Sequence, residues 1–249
     1  MKLFNYSIMG KYDDLYSGLE LLAQSNKKSY KDHLKFDEGI TQMINSICEY
    51  KRNFLFYYEN YSGALKESRS GNILAAEALI SRAKKYIDKS VLSKEENKLY
   101  DLICTPVDAY LFYKKKDYVT AIKMTKETMI LDSYFEEQFP IVFYHKIQQM
   151  QNISRIYFRE QKINEALEVL KLIFSLLINK TEITYFDVHY HPSFLERNNE
   201  GLRKSMIYDV FNELVATGEK HEEAKRDYIL DFCNEIINNP DLNLNELHV

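Results

Sequence analysis

The residues with the clearest capacity for binding chemistry are three cations that recur at equal spacing. Arg69, Lys114 and Arg159 lie 45 residues apart along the chain. Equivalent positions of stacked structural repeats fall on one surface. In a repeat protein these side chains would therefore form a row that can make charge-assisted hydrogen bonds to carboxylates. The spacing predicts a basic groove, and the alternative interpretation is a solvated basic face.

A set of polar residues precedes Arg159 at spacings of three and four. It consists of Gln148, Gln151, Asn152 and Arg155. Such spacing places side chains on one face of a helix. An asparagine amide can bond the backbone of an extended peptide, and arginines can pair with its acidic side chains or its C-terminal carboxylate. The predicted groove residues are Arg69, Lys114, Gln148, Asn152, Arg155 and Arg159.

Asp187, His189 and His191 are the residues that suggest a metal site. Two histidines at i and i+2 point the same way in an extended segment, and the carboxylate supplies a third ligand. This arrangement defines one alternative function, a metal-dependent enzyme. No HExxH motif accompanies the pair, and polar loops with two histidines are far commoner than metal sites. We therefore expect a solvated loop, with no metal and no cofactor.

Other signatures of enzymes are missing from the sequence. It contains no GxGxxG, phosphate-loop or GxSxG motif, and its seven glycines are scattered. The adjacent acids Glu136 and Glu137 do not face each other on a helix, so we expect them on the solvated surface. His145 is interpreted as a hydrogen-bonded helix residue and not as a base. No catalytic residue is predicted, and the chain is expected not to be an enzyme.

Helical hairpins are the elements that would position the groove residues. Ala76, Ala121 and Ala166 are 45 residues apart, and each follows a polar turn and opens an apolar helical stripe. A fixed period of this size is typical of stacked helical hairpins. The predicted helices pair as 51–69 with 73–89, 95–115 with 118–131, 141–160 with 163–179, and two more within 201–239.

Composition favours the same class. Seven glycines and four prolines are few for 249 residues, so long helices are favoured over turn-rich strands. Ser93 and Glu96 have the spacing of a capping box at a helix start. We expect an all-α protein without a β-sheet. N-terminal helices would occupy residues 1–50, and a continuous repeat array would occupy residues 51–249.

The hairpins resemble the tetratricopeptide repeat family. The second hairpin carries the family's small residue, the aromatic residue three positions on, the tyrosine and the second-helix alanine at Ala109, Phe112, Tyr118 and Ala121. The third matches at Ser154, Tyr157, Ile163 and Ala166. The first departs from the pattern at Glu67, and the period of 45 exceeds the family's usual value of about 34. The resemblance implies a right-handed α-α superhelix, a solenoid of TPR-like hairpins that binds peptides or proteins in its concave groove.

Charge and cysteine usage restrict the partners. The 33 basic and 37 acidic residues give a net charge of −4 without a basic block, which argues against nucleic acid. No apolar run approaches the roughly 20 residues that span a bilayer, and residues 1–10 do not resemble a signal peptide. The three cysteines are far apart and form no CxxC motif, which argues against a disulfide framework or a cysteine zinc site.

These features predict a cytoplasmic interaction module. Its partner would be a protein or peptide segment that is acidic or ends in a carboxylate, with no nucleic acid and no membrane. A structural subunit that packs through its aromatic surface in an oligomer is a further alternative. The sequence leaves the oligomeric state open.

Overall fold

The structure is a computed structural model that describes residues 12, 13, 15–18, 20, 30–197 and 200–238, with side chains omitted for 30–35. Parts of the predicted N-terminal region, and the chain after residue 238, lie outside these residues. Most of the described chain is helical, which confirms the predicted helical class. The longer helices before residue 180 are α1 (Tyr30–Ile47), α2 (Lys51–Arg69), α3 (Ile73–Ala83), α4 (Lys94–Lys114), α5 (Tyr118–Phe135), α6 (Val142–Arg159) and α7 (Ile163–Leu177). The later elements are β1 (Ile183–Tyr185), β2 (Val188–Tyr190), α8 (Ser193–Glu196), α9 (Glu200–Gly218) and α10 (Glu223–Ile237).

Local signals explain where the helices begin and end. The capping box before α4 is confirmed, because Ser93 Oγ accepts from Glu96 N at 3.2 Å and Glu96 Oε2 accepts from Ser93 N at 2.9 Å. The predicted helix 73–89 is too long. The chain leaves α3 at Ala83 and forms a 3₁₀ turn at Lys89–Val91, where Asp88 accepts from the amide of Ser90 at 2.9 Å.

The described residues group into two compact units. The major unit comprises Leu34–Ala166 and Thr184–His189, and the minor unit comprises the described residues up to His33, Leu167–Ile183 and those from Tyr190 onwards. These units do not coincide with the predicted division into N-terminal helices and a repeat array. The predicted boundary at residue 50 stays a prediction.

Within the major unit the hairpins pack as pairs and onto one another. α2 packs on α3 and α4 on α5, while α2 also contacts α4 and α5 contacts α6. Ala76, Ala121 and Ala166 expose at most 1% of their surface. Small buried residues at these positions let paired helices approach closely. Tyr57 and Tyr100 fill the space between α2 and α4, with ring centroids 4.4 Å apart.

Three turns share one backbone geometry at the 45-residue spacing. Gly71, Lys116 and Gln161 have φ of 87°, 65° and 61°, the left-handed conformation. The next amide donates to the carbonyl five residues back at 2.9, 3.0 and 2.9 Å, in the pairs Asn72–Glu67, Asp117–Phe112 and Lys162–Tyr157. This bond closes a Schellman motif, which ends a helix by satisfying its last carbonyls. The repeat seen in the sequence is therefore also a repeat of turn geometry.

Glycine substitution at the two non-glycine turns is expected to stabilise the protein. A side chain in the left-handed region is strained, so Lys116→Gly and Gln161→Gly should each raise the free energy of unfolding by about 0.5–1 kcal/mol. Gly71→Ala should lower it by about 1 kcal/mol. Urea denaturation measures these changes. Glu160→Gly is the control, because Glu160 has a right-handed φ of −82°, and a stabilising effect there would contradict the explanation.

A β-hairpin corrects the expectation of a chain without strands. β1 and β2 form a two-stranded sheet, joined by Phe186 and Asp187 with φ of 51° and 61°. Positive φ at both central residues is the requirement of a type I′ hairpin turn. Val188 and Tyr190 are buried and His189 between them is exposed, which is the alternation of a strand. Aromatic and β-branched residues favour extended backbone here, although no glycine or asparagine marks the turn.

The minor unit contains the predicted last hairpin. α9 packs on α10, and the ring of Phe174 in α7 contacts that of Phe211 in α9 at a tilt of 34°, with centroids 4.4 Å apart. Gly218 ends α9, and a Cβ there would lie only 3.2 Å from Ile229. Tyr12 donates to Asp231 at 2.9 Å and so connects the N-terminal segment to α10. Among the described helices, none is long and apolar enough to cross a bilayer.

Candidate functional site

A small cavity lies among α4, α5 and α6 in the major unit. Its volume is about 20 Å³, enough for about one water molecule. Pro106, Ala109 and Ile156 supply apolar lining, and Tyr110 and Tyr113 supply aromatic lining. Pro106 has no N–H to donate within α4, so the helix lacks one bond beside the cavity. We call this space the α4–α6 cavity.

The polar lining includes two of the six predicted groove residues. Asn152 and Arg155 lie on successive turns of α6, and Arg155 Nη1 donates to Asn152 Oδ1 at 2.5 Å. Thr125 of α5 also lines the cavity and donates its hydroxyl proton to the carbonyl of Ala121 at 2.7 Å. The cavity thus combines an apolar floor with a cation and an amide.

Two further predicted groove residues contact the tyrosines of the cavity. Arg159 Nε donates to the hydroxyl of Tyr113 at 3.1 Å, and Lys114 Nζ lies 5.8 Å from the ring centroid of Tyr110. Lys114 ends α4 and Arg159 ends α6, the equivalent positions of two hairpins. Each of these two cations therefore contacts one of the two tyrosines that line the cavity.

The remaining predicted groove residues are not part of the cavity lining. Arg69 is exposed at the last residue of α2, and Gln148 is half-buried on α6. The participation of Arg69 in binding, together with Lys114 and Arg159, stays a prediction.

A buried acid–histidine pair joins α5 to α6, and the sequence analysis did not predict this pairing. His145 Nδ1 is 2.8 Å from Asp132 Oδ1 across α5 and α6, and Phe36 stacks on the imidazole at 4.9 Å. Burial raises the pKa of the Asp132 carboxyl, an effect opposed by the nearby His145 and Lys146. His145 is a hydrogen-bonded helix residue, as expected. The spacing of His145, Gln149, Asn152 and Arg155 on one face of α6 is the signal that could have revealed this cluster.

Lys146 forms a second buried polar cluster. Its side chain is fully buried, and Nζ lies 2.5 Å from Glu136 Oε2 and 2.8 Å from the carbonyl of His189. Burial lowers the pKa of Lys146 and raises that of Glu136, and their pairing opposes both shifts. The expectation that Glu136 is solvated is wrong, because α5 carries it against α6. The same ammonium ties β2 to α6.

The histidines proposed for a metal are exposed and engaged locally. His189 Nδ1 lies 3.0 Å from Thr184 Oγ1, and His191 Nδ1 lies 2.8 Å from Ser193 Oγ. Asp187 occupies the hairpin turn. In the part of the chain that the structure describes, no group of three His, Cys, Asp or Glu side chains is placed to hold a metal ion.

Replacing both exposed histidines should change little. His189→Ala combined with His191→Ala is expected to shift the free energy of unfolding by no more than about 0.5 kcal/mol, because each side chain makes only surface hydrogen bonds. Denaturation and elemental analysis of the purified protein measure the outcome. Stoichiometric zinc or iron that disappears in the double variant would show that the metal interpretation is right.

The cysteines are poorly suited to nucleophilic chemistry. Cys48, Cys104 and Cys233 are free and buried. Burial raises the pKa of Cys48 to about 12 and that of Cys104 to about 11. These thiols stay protonated at neutral pH, and the thiolate is the nucleophile.

Comparison with known proteins supplies no relative. No protein-family model, no curated protein and no solved structure matches this chain. The functional interpretation therefore depends on the geometry of the α4–α6 cavity and the cations around it.

Proposed function

We propose that the protein is a non-catalytic interaction module that binds an extended peptide or protein segment across the α4–α6 cavity. The observation that supports this most is the pairing of Asn152 with Arg155 in the cavity wall, next to Tyr110 and Tyr113. Tyrosine and arginine are enriched in binding sites. Both offer large contact areas and lose little side-chain entropy for each hydrogen bond that they form.

The size of the cavity favours a chain-like ligand. Pockets for small organic molecules usually have volumes of about 300–1,000 Å³. The α4–α6 cavity of about 20 Å³ has room for only about one water-sized group. A ligand would therefore insert one small group and lie mostly across the surrounding surface, which an extended peptide can do.

The charges around the cavity define the chemistry of the ligand. Lys114, Arg155 and Arg159 lie at or beside it, although the whole chain carries a net charge of −4. A local concentration of cations on an acidic protein favours a ligand with acidic side chains or a terminal carboxylate. Part of this attraction is screened by salt, so binding should weaken as ionic strength rises.

In this proposal the hairpins form a right-handed, TPR-like solenoid, and the cavity lies in its concave groove. The protein acts in the cytoplasm, and neither nucleic acid nor a membrane is its partner. The repeated Schellman turns and the buried alanines support a repeat. The metal-dependent enzyme and the oligomeric subunit remain alternative predictions from the sequence. Elemental analysis and a mass measurement in solution test them.

A peptide screen tests the proposed function without knowledge of the natural partner. Each random peptide is synthesised in two forms, one with a free C-terminal carboxylate and one amidated. Binding of both forms is measured at low and at high salt. We expect binders to be enriched in Asp and Glu or to require the free carboxylate, and to weaken in high salt. A screen that yields no binder, or only basic ones, would contradict the proposal.

A further inference from the structure

A chain of hydrogen bonds leads from the α4–α6 cavity to a buried carboxylate. Arg155 donates to Asn152, and Asn152 Nδ2 donates to Gln149 Oε1 at 3.1 Å. Gln149 Nε2 lies 2.9 Å from His145 Nε2. His145 Nδ1 lies 2.8 Å from Asp132 Oδ1. We call these five side chains the relay.

Every link of the relay runs in one direction. The Gln149 amide uses its oxygen to accept from Asn152, so it presents its NH₂ group to His145. His145 Nε2 must then accept, which puts the ring proton on Nδ1, from where it is donated to Asp132. The relay therefore begins at a guanidinium cation and ends at a carboxylate. Hydrogen bonds aligned in this way strengthen one another.

The inner members of the relay are deeply buried. Asp132, His145 and Gln149 expose 0%, 9% and 2% of their surface. Burying such polar groups has a desolvation cost, which apolar side chains of similar size do not have. The bond to Asp132 satisfies only Nδ1 of His145, and Gln149 is the partner of Nε2. Gln149 extends the connection to the two residues that line the cavity, which points to a role there.

We propose that Asp132, His145 and Gln149 are positioning residues that orient Asn152 and Arg155 so that the cavity wall presents hydrogen-bond donors. This inference rests on the proposed function and specifies its ligand chemistry. The oxygen of Asn152 is engaged by Arg155, while its amide has a second N–H to offer. The hydroxyl oxygen of Tyr113 accepts from Arg159, so its proton is available as well. The ligand group held at the cavity is therefore an acceptor, a carbonyl or carboxylate oxygen, and the cations Arg155 and Arg159 disfavour an ammonium group.

Two small probes test the predicted selectivity. Acetate offers only acceptor oxygens, and methylammonium offers only donor hydrogens. Each is titrated into the full, nitrogen-15-labelled protein while the side-chain signals of Asn152 and Arg155 are followed by NMR. We expect acetate to shift these signals and methylammonium to leave them unchanged. Equal shifts with both probes, or none with acetate, would overturn the selectivity.

A buried glutamine outside the cavity lining provides a matched control for the relay. Gln149→Met removes the central link without touching the cavity lining, and it should weaken acetate binding about tenfold, the equivalent of one well-placed hydrogen bond. Gln151 lies on the same helix and is also buried, and Gln151→Met should leave acetate affinity unchanged. Equal affinity in Gln149→Met and in the parent would overturn the positioning role.

A spectroscopic signature distinguishes positioning from simple packing. The nitrogen-15 shifts of His145 should show the proton on Nδ1 in the parent protein, and Asp132→Asn should alter the signals of Asn152 and Arg155 at the far end of the relay. A proton on Nε2 in the parent would overturn the inferred direction. The two proposals fail separately. Acetate binding without any peptide binding would contradict the proposed function and leave the relay intact, whereas undiminished acetate and peptide binding by Gln149→Met would contradict only the relay.

Discussion

Lys146→Met is expected to lower the free energy of unfolding by about 3–5 kcal/mol, the usual effect of removing one partner from a buried ion pair. The variant leaves the buried Glu136 carboxylate without its cation and removes the donor to the carbonyl of His189. Chemical denaturation measures the loss. Hydrogen exchange should also quicken in β2, because Lys146 donates to the carbonyl of His189 and so connects this strand to α6.

Two controls separate burial from pairing. Lys115 and Glu77 form an ion pair of similar length, 2.6 Å, but each side chain exposes more than 40% of its surface. Lys115→Met should therefore cost less than about 1 kcal/mol. Lys146→Met combined with Glu136→Leu should recover most of the stability, since an apolar pair of similar volume replaces the ions. Equal losses from Lys146→Met and Lys115→Met would contradict the role given to the buried pair.

Arg155→Ala combined with Arg159→Ala is expected to weaken binding of a selected acidic peptide by well over tenfold. Each charge-assisted hydrogen bond is worth about 1.5–3 kcal/mol, and a factor of ten corresponds to about 1.4 kcal/mol. The melting temperature should stay unchanged, because Arg159 is exposed and Arg155 is only half-buried. Fluorescence polarisation measures the affinity, and calorimetry measures the melting temperature.

The control for this variant is a second double variant with the same net charge. Arg52→Ala combined with Lys123→Ala also removes two cations from the major unit, and both of these side chains are exposed and lie outside the cavity lining. It should weaken binding only through the change in overall charge. Similar losses in both double variants would show that the peptide responds to net charge and not to the α4–α6 cavity.

The sequence predicts the helices well because their ends are encoded locally. The capping box at Ser93 and the polar turns before Ala76, Ala121 and Ala166 need only a few neighbouring residues, and the structure places helix boundaries at these signals. The β-hairpin was not predicted, because Phe186 is a residue that seldom takes positive φ and the turn contains no glycine.

The buried polar clusters illustrate what local patterns leave out. Glu136 and Asp132 look like ordinary acids of a helix end, and only the packing of α5 on α6 places them opposite Lys146 and His145. Asn152 and Arg155 were predicted because they share a helix face. Gln149 lies on that face as well, but its burial depends on tertiary packing that residue spacing does not reveal.

Binding of a peptide at the α4–α6 cavity is tested most directly by mapping a selected peptide on the protein by NMR. The nitrogen-15-labelled protein is titrated with the tightest peptide from the screen, and the shifted signals are assigned. We predict that the largest shifts fall on Tyr110, Tyr113, Asn152 and Arg155. Shifts confined to exposed apolar residues such as Leu74, Val119 and Ile130, with the signals of the cavity unchanged, would contradict the claim.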